Sequence, residues 1–492
     1  MRDITKWQIV SFISRGMAMA FGLVQSFVIL RILTQAQWGI VQLAISIGGA
    51  LGIYQHLGLA SASTREISSA KNDTQIFKIF VTSVFIRYIV TFPLAFGLFF
   101  FSDHIALNVY HHPEISFPLK IYAVTLLFQG FQSILNSVIS GTMRFKNLFT
   151  YQVVIAFVSI LIFIPLVYVY KINGYFYAFL IFNILSTSAL SIIAFAPLRN
   201  KLVFPSWGDF KVLLKEIFSI SIAIYFMKII YTNWEKFGSN VIGLFSSAET
   251  IAIYGFALLF AKKIMNISDA VTDVNLPVLS EKFVNNIKDF KETFSDNFSK
   301  VFSLIIISAV GVTYWAPQII YVLAGSKKYF EYFDSLHLIP PLILAFILYS
   351  IINIVTASIF IPAKLAREMT VSFVFLIAFT ALSFVGSRGF LGDLTSMAWA
   401  MACGAFFSFW YMGFSIKKNL KFVFFSVNHY SLLIQGIIIC FVGELNILWL
   451  KSLVFVPLMF LLLWNIISSK FVTKEDFVLA KDKFLSKFGL HK

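Results

Sequence analysis

The chain has 492 residues, 59% of them hydrophobic and only 13% charged, with a mean hydropathy of +0.84 and a net charge of +16. That much apolar side chain is too much for a water-soluble globule of this size and points to a polytopic membrane protein. Cys403 and Cys440 both fall inside apolar runs, which argues against a disulfide framework.

A hydrocarbon layer about 30 Å thick takes roughly 20 helical residues to cross. Apolar runs of that length recur from end to end and predict fourteen spans, at 9–30, 39–58, 79–101, 118–140, 150–170, 174–196, 217–238, 251–275, 298–323, 335–361, 369–387, 394–414, 430–448 and 452–469. Nothing alternates in the manner of barrel strands, so the predicted fold class is all-α. The first run is long and has no small-residue cleavage site, so it is expected to persist as the first helix.

Positive residues near span ends stay on the cytoplasmic side. With the N-terminus inside, the inner segments collect most of the Lys and Arg, from Arg2 and Lys6 through Arg144, Lys146, Lys417 and Lys418 to the basic tail. The outer connections and their edges hold few, among them Arg31, Lys120, Lys171, Lys236, Lys327 and Lys328. Both termini are therefore expected in the cytoplasm. The net positive charge follows topology and faces anionic headgroups, so no nucleic-acid partner is needed to explain it. The loops are short, the longest outer one being 102–117, and none contains a phosphate-binding glycine loop or metal-ligand spacing. His111, His112 and Glu114 lie together there, but adjacent histidines on a loop without hairpin spacing read as solvated.

The informative residues are polar ones inside the spans. At about 100° per residue, the first span aligns Gln8, Ser11, Arg15, Gly22 and Ser26, and the second aligns Gln42, Ser46, Gly49 and His56. The fourth aligns Tyr122, Thr125, Gln129, Ser133, Asn136 and Ser140. The second half repeats the order. Ser221, Lys228, Thr232, Glu235 and Ser239 share a face of the seventh span; Lys262, Asp269 and Asp273 share one on the eighth; Tyr349, Asn353 and Thr356 share one on the tenth. Two six-helix lobes with an internal pseudo-twofold repeat are expected, at 1–200 and 201–420, with equivalent helices facing a common cavity. The last two spans and the tail, 421–492, have no counterpart.

Ser, Thr and Gly on one face also serve plain helix packing. Ionisable residues cost about 2.5–3.5 kcal/mol each in mid-membrane, which favours a wet cavity or a partner. Arg15 lies about 9 Å into its span and has snorkelling to the inner surface as an alternative. Arg87 is at similar depth on a poorer stripe, so snorkelling is the favoured reading there. Lys228, near mid-span, is the hardest to explain without a ligand.

The stretch "ILRILTQAQWGIVQLAIS" followed by "HLGLASASTREIS" resembles the opening of the Wzx-type polysaccharide transporters of the multidrug/oligosaccharidyl-lipid/polysaccharide exporter (MOP) superfamily. Arg31, Leu33, Gln37, Trp38 and Gly39 fit that family's hairpin, while Thr34 and Gln35 depart from it. "YTNWEKFGSNVIGLFSSAETIAIYGFA" and "LPVLSEKF" are similar to its second-lobe motifs, with Glu235 and Lys236 where an acidic-basic pair is usual. The resemblance covers residues 1 to about 300, and the rest by topology only. It implies a non-enzymatic flippase moving an isoprenoid-diphosphate-linked oligosaccharide across a bacterial cytoplasmic membrane for capsule, O-antigen or a similar surface polymer. Polysaccharide assembly proteins are implied as further partners beside the membrane lipids.

On this reading Arg15, Lys228 and Arg87 bind the anionic headgroup. Tyr122, Gln129, Asn136, Gln42 and Asn353 meet sugar hydroxyls. Glu235, Asp269 and Asp273 take a coupling proton or sodium ion, no other cofactor being expected. The alternatives are a lipid II or drug exporter of the same superfamily, and an outer-leaflet glycosyltransferase or polymerase, against which the short outer loops speak.

Overall fold

The computed structural model describes residues 2–68, 70, 72–198, 203–363, 365–442 and 448–472. Within these, the side chains of 2–13 and of several helical residues, among them Arg15, Lys228, Asp269 and Asp273, lie outside the described set. The described residues form helices α1 (Arg2–Ile32), α2 (Gln35–Gly52), α3 (Leu59–Ser68), α4 (Asp73–His104), α5 (Ser116–Gly141), α6 (Phe145–Phe195), α7 (Trp207–Phe245) and α8 (Ala248–Asn285). They continue with α9 (Ile287–Ala324), α10 (Ser326–Glu331), α11 (Ile339–Val355), α12 (Ala366–Leu391), α13 (Asp393–Leu420), α14 (Val427–Val442) and α15 (Leu448–Ser468). There is no strand among the described residues.

The described helices fall in the regions of the predicted spans, the end of the span at 430–448 lying outside the described residues. Nine helical stretches among the described residues are long and apolar enough to cross a bilayer, and Gly16–Ile32 and Val427–Cys440 are shorter apolar helices. One of the nine, α6, is two helices joined at Lys171, whose φ of 53° and ψ of −123° break the helical path where the fifth and sixth spans were expected to meet. Its first half packs on α1, with Ser159 donating to Gln25 Oε1 at 2.6 Å and Phe157 edge-on to Phe21. Its second half packs on α5, where Gln132 Nε2 donates to the Asn183 carbonyl at 2.9 Å and Tyr122 meets Phe179. Phe96, Phe100, Leu382, Val385 and Trp464 are exposed, as lipid-facing side chains are.

Local chemistry sets the helix starts. Thr34 and Gln37 form a reciprocal capping box at α2, Ser206 and Asp209 form another at α7, and Asn72 caps α4. Each satisfies backbone N–H groups that would otherwise be left open.

The chain divides into two compact units. Unit 1 holds Met1–Gly255 and Ile320–Phe333; unit 2 holds Phe256–Ile319 and Asp334–Lys492. These boundaries differ from the expected 200/201 division. The reason lies in packing: α7 lies against α2, α3 and α4, and the first turn of α8 sits on Gly39, where a Cβ would come within 1.7 Å of the Ala248 carbonyl oxygen. The 320–333 segment is tied to the α1–α2 hairpin. Lys328 Nζ donates to the Leu33 carbonyl at 2.7 Å, Gln35 Nε2 to the Glu331 carbonyl at 2.7 Å, and Arg31 to the Val322 carbonyl at 3.2 Å.

The core of unit 1 is apolar and formed by α3, α4, α5, the end of α6 and the start of α7, with Leu59, Ile79, Ile134, Val138, Leu190 and Ile217 fully enclosed. In unit 2, α12 and α13 form a close pair, and α11 packs on α13. Phe298, Phe302, Phe424, Phe425 and Phe471 gather at the start of α14.

Candidate functional site

The second predicted span does not run straight. α2 ends at Gly52, a 3-10 turn covers Ile53–Gln55, and Leu57 (φ 45°) and Gly58 (φ 67°) then turn left-handed before α3 begins. For Leu57 that conformation costs about 1–2 kcal/mol, so the surroundings must hold the break. They do so through polar side chains, because the break points Gln55 and His56 at α4 and α5.

Arg87 of α4 is completely buried and meets them. One guanidinium nitrogen lies 3.1 Å from His56 Nδ1 and the other donates to Ser133 Oγ of α5 at 3.3 Å. A guanidinium carries only donors, so His56 Nδ1 is the acceptor and the imidazole is neutral, with its proton on Nε2. One turn on, the Thr91 hydroxyl lies 3.1 Å from Gln55 Oε1 and 2.9 Å from the Arg87 carbonyl. Gly130 of α5 leaves room for this ring: a Cβ there would stand 3.1 Å from Gln55 Oε1, 3.4 Å from Arg87 Nε and 3.5 Å from Thr91 Oγ1. Arg87 Nε is buried without an acceptor, and among the described residues no carboxylate pairs with this cation. Effective penalties for burying an ion run to several kcal/mol, and the partners among the described residues that offset them are neutral.

A second polar cluster lies on α2, α5 and α7. The Tyr122 ring covers Gly48, where a Cβ would be 2.4–2.6 Å from it, and the Lys236 stem crosses Gly49 at 3.1 Å. Lys236 Nζ is 3.4 Å from Glu235 Oε1, and both residues are largely buried. Ser46 donates to the Lys236 carbonyl at 3.4 Å. Nearby, Tyr225 donates to the Tyr54 carbonyl at 3.0 Å and Asn233 to the Tyr54 hydroxyl at 3.3 Å.

Of the expected site residues, Tyr122 and Glu235 thus come to one cluster, joined by Lys236. Gln42 is nearby on α2, its Cγ 2.9 Å from where a Cβ on Gly255 would stand. Gln129 and Asn136 are half-buried on α5, and the Asn136 Oδ1 is enclosed without a partner. Asn353 belongs to unit 2 and donates to Ser268 Oγ at 3.3 Å. The side chains of Arg15, Lys228, Asp269 and Asp273 lie outside the described residues.

One expectation changes. Arg87 does not snorkel: its guanidinium turns inward, because His56 and Ser133 offer it acceptors within reach, and in this conformation it has no open surface for a headgroup. Lys236, which the sequence places at an outer edge, has its side chain largely buried beside Glu235. Gln55 and Thr91 were missed altogether; Gly130, one residue beyond Gln129 of the polar stripe, was the available signal. In the 102–117 loop, His111 Nδ1 hydrogen-bonds the Leu107 carbonyl and His112 Nε2 the Ser246 carbonyl. Among the described residues no group of three acids, histidines or cysteines is placed to hold a metal.

Solved structures share this architecture. A lipid II flippase, MurJ, in an inward closed conformation superimposes with a TM-score of 0.70 at 16% identity, covering 92% of this chain and 98% of that one. An inward-facing multidrug resistance MATE family transporter of the MOP superfamily gives 0.68 at 14%, covering 84% and 99%. A MOP superfamily transporter from Pyrococcus furiosus gives 0.60 at 16%, covering 85% and 96%. No curated protein matches the chain in sequence.

The fold is therefore that of the MOP-superfamily transporters, a multi-pass helical membrane protein. The sequence profile of one family, described as "Polysaccharide biosynthesis protein", matches residues 28–334, more than half of the chain, and the chain belongs to that family.

Proposed function

We propose that this protein is a flippase that carries an isoprenoid-diphosphate-linked oligosaccharide from the inner to the outer leaflet of a bacterial cytoplasmic membrane by alternating access. The observation that carries the reading is the polar interior of unit 1 in a chain of the polysaccharide biosynthesis family. Hydroxyl, amide and cationic side chains on α2, α4, α5 and α7 are turned into unit 1, while α4 presents Phe85, Phe92, Phe96 and Phe100 outward.

Amide and hydroxyl groups on a helical wall suit sugar hydroxyls, and Tyr122, Gln42, Gln129, Asn136 and Asn353 are assigned that role. Arg15 and Lys228 are assigned the diphosphate, whose charge a guanidinium or ammonium meets with strong hydrogen bonds. Export of an anion from a negative interior is favoured by about 2.3 kcal/mol per charge per 100 mV, so the membrane potential is one source of drive. Glu235, Asp269 and Asp273 are the carboxylates assigned to a returning proton or sodium ion.

The test is outer-leaflet exposure of a short-chain isoprenoid-diphosphate oligosaccharide in liposomes, with parent, Arg15→Ala and Lys228→Ala at matched reconstitution. Loss of transport in both folded variants supports the reading. Undiminished transport in both removes the headgroup assignment, and no transport by the parent removes the flippase. Transport of lipid II in preference to the oligosaccharide would favour the second reading, suggested by the fold shared with the lipid II flippase.

A further inference from the structure

Positive side chains are sparse on the face that the charge pattern assigns to the outside, yet three of them, Arg31, Lys327 and Lys328, line one cleft of unit 1. Its walls are the α1–α2 hairpin, residues 31–36, and the segment 324–331, with Glu249 of α8 beside them. The cleft has a volume of about 570 Å³, within the range of small-molecule sites.

The two walls are tied to each other. Lys328, itself buried, donates from Nζ to the Leu33 carbonyl at 2.7 Å and to Glu331 Oε2 at 2.6 Å, and Gln35 reaches the Glu331 carbonyl at 2.7 Å. These contacts join residues far apart in the sequence and hold the opening at a fixed width.

Charge inside the cleft is not balanced. Lys328 and Glu331 neutralise each other. Arg31 donates from one nitrogen to the Val322 carbonyl at 3.2 Å and pairs with no carboxylate. Lys327 and Glu249 are likewise without ion-pair partners among the described residues. Two unpaired cations and one unpaired carboxylate leave one positive charge in excess. Both cations are exposed and so accessible to a ligand. A guanidinium and an ammonium at one opening suit a phosphate group. A singly charged phosphodiester cancels the excess, and a hydroxyl on its headgroup has Glu249 as an acceptor.

The neighbours of the cleft set its depth. Tyr321, Val322, Phe330 and Phe333 are exposed on the same segment, and Tyr329 stands edge-on to Tyr321, Phe330 and Phe333. Tyrosines of membrane proteins gather at the membrane–water interface, where the ring lies at the level of the headgroups. A lipid phosphate is therefore at the mouth of the cleft by position alone.

We propose that this cleft binds the phosphate group of a membrane lipid through Arg31 and Lys327. The site lies apart from the interior residues assigned to transport and does not rest on the flippase reading. Two lipids carry the required chemistry, an anionic phospholipid such as phosphatidylglycerol and the diphosphate end of an isoprenoid carrier.

The test uses the full chain in detergent micelles, titrated separately with phosphatidylglycerol, phosphatidylcholine and a short-chain isoprenyl diphosphate, with bound lipid counted from the mass of the intact complex. The parent is expected to retain phosphatidylglycerol or the diphosphate in preference to phosphatidylcholine. The stronger of the two identifies the source as bulk lipid or carrier. Arg31→Gln combined with Lys327→Gln should weaken retention about tenfold, the loss of two exposed charge contacts. Glu249→Gln, which raises the excess charge, should strengthen it about threefold. Lys120→Gln, at a cation assigned to the same face but paired with Asp103 at 2.8 Å, should change nothing. Equal retention of all three lipids overturns the proposal, as does unchanged retention in the double variant with its unfolding temperature intact. A loss in Lys120→Gln equal to that of the double variant also overturns it, because the effect would then belong to the face and not the cleft. If the double variant does not fold, Glu249→Gln decides, and unaltered or weaker retention there overturns the proposal.

Discussion

Each unit places an imidazole near the end of a helix, buried in unit 2 and partly exposed in unit 1, and the two are held in different ways. In unit 2, His429 lies in the first turn of α14, with Nδ1 accepting from the Ser426 backbone N–H at 3.1 Å and Nε2 at 3.1 Å from Ser299 Oγ. Phe298, Phe302, Phe425 and Phe471 surround the ring, the last stacked at 4.5 Å. Both of its nitrogens face neutral groups and its faces are covered by aromatic carbon, so it fastens α9, α14 and the segment that follows α15 together. In unit 1, His56 faces a cation at a broken helix, and the Arg87 Nε beside it lacks an acceptor. Buried polar groups that are fully satisfied rigidify a core, and those that are not tend to mark places that change. The first imidazole is a rivet; the second is an acceptor for a buried cation.

The comparison is broken most sharply by adding one methyl group to each unit. Gly404→Ala in unit 2 puts a Cβ 2.0 Å from Thr380 Oγ1 and 2.4 Å from the Leu376 backbone oxygen. Helix α13 must move off α12, and a loss of about 3 kcal/mol is expected. Gly130→Ala in unit 1 meets only side-chain atoms at 3.1–3.5 Å and should cost about 1 kcal/mol. Thermal unfolding of the two variants in the same detergent should separate them by several degrees, and equal losses would show that the polar ring is as rigid as the helix pair.

Next in size is His429→Ala, which empties the aromatic box. A loss of about 2 kcal/mol is expected, in the range of large-to-small core changes, with transport per folded molecule unchanged. A variant as stable as the parent would remove His429 as a fastener.

The smallest effect belongs to a surface contact of unit 1, Lys78 Nζ to Asp209 Oδ2 at 2.7 Å. Hydrogen bonds from Lys78, then from Ser206, hold the Asp209 carboxyl below the usual carboxylate range. Its contribution is therefore full above the unfolded value and fades as the pH falls through the lowered folded value. Asp209→Asn should lower stability slightly at neutral pH and not at all at strongly acid pH, with the difference shrinking in high salt. A difference independent of pH would point to the capping box with Ser206 instead.

Much of the helical frame was legible because each membrane span announces itself by length and composition. The α6 turn at Lys171 fell where the hydropathy dips, and the α2 stripe already aligned His56 with Ser46 and Gly49. What hydropathy cannot carry is the direction of a long side chain. Arg87 reaches inner water or interior acceptors from the same backbone position, and the choice depends on Ser133 and His56, brought beside it only in three dimensions. Unit boundaries were hidden for a similar reason. Gly39 and Ala248 touch across more than two hundred residues, and nothing local to either records the contact.

The single-residue turn at Lys171 bears on how motion travels. A loop of several residues would absorb a tilt of either neighbour, but a one-residue joint has no slack to take it up. The first half of α6 is fastened to α1 through Ser159 and Gln25, the second to α5 through Asn183 and Gln132. A tilt of α1 therefore reaches α5, and with it Tyr122 and Ser133, as a lever acting across a stiff elbow.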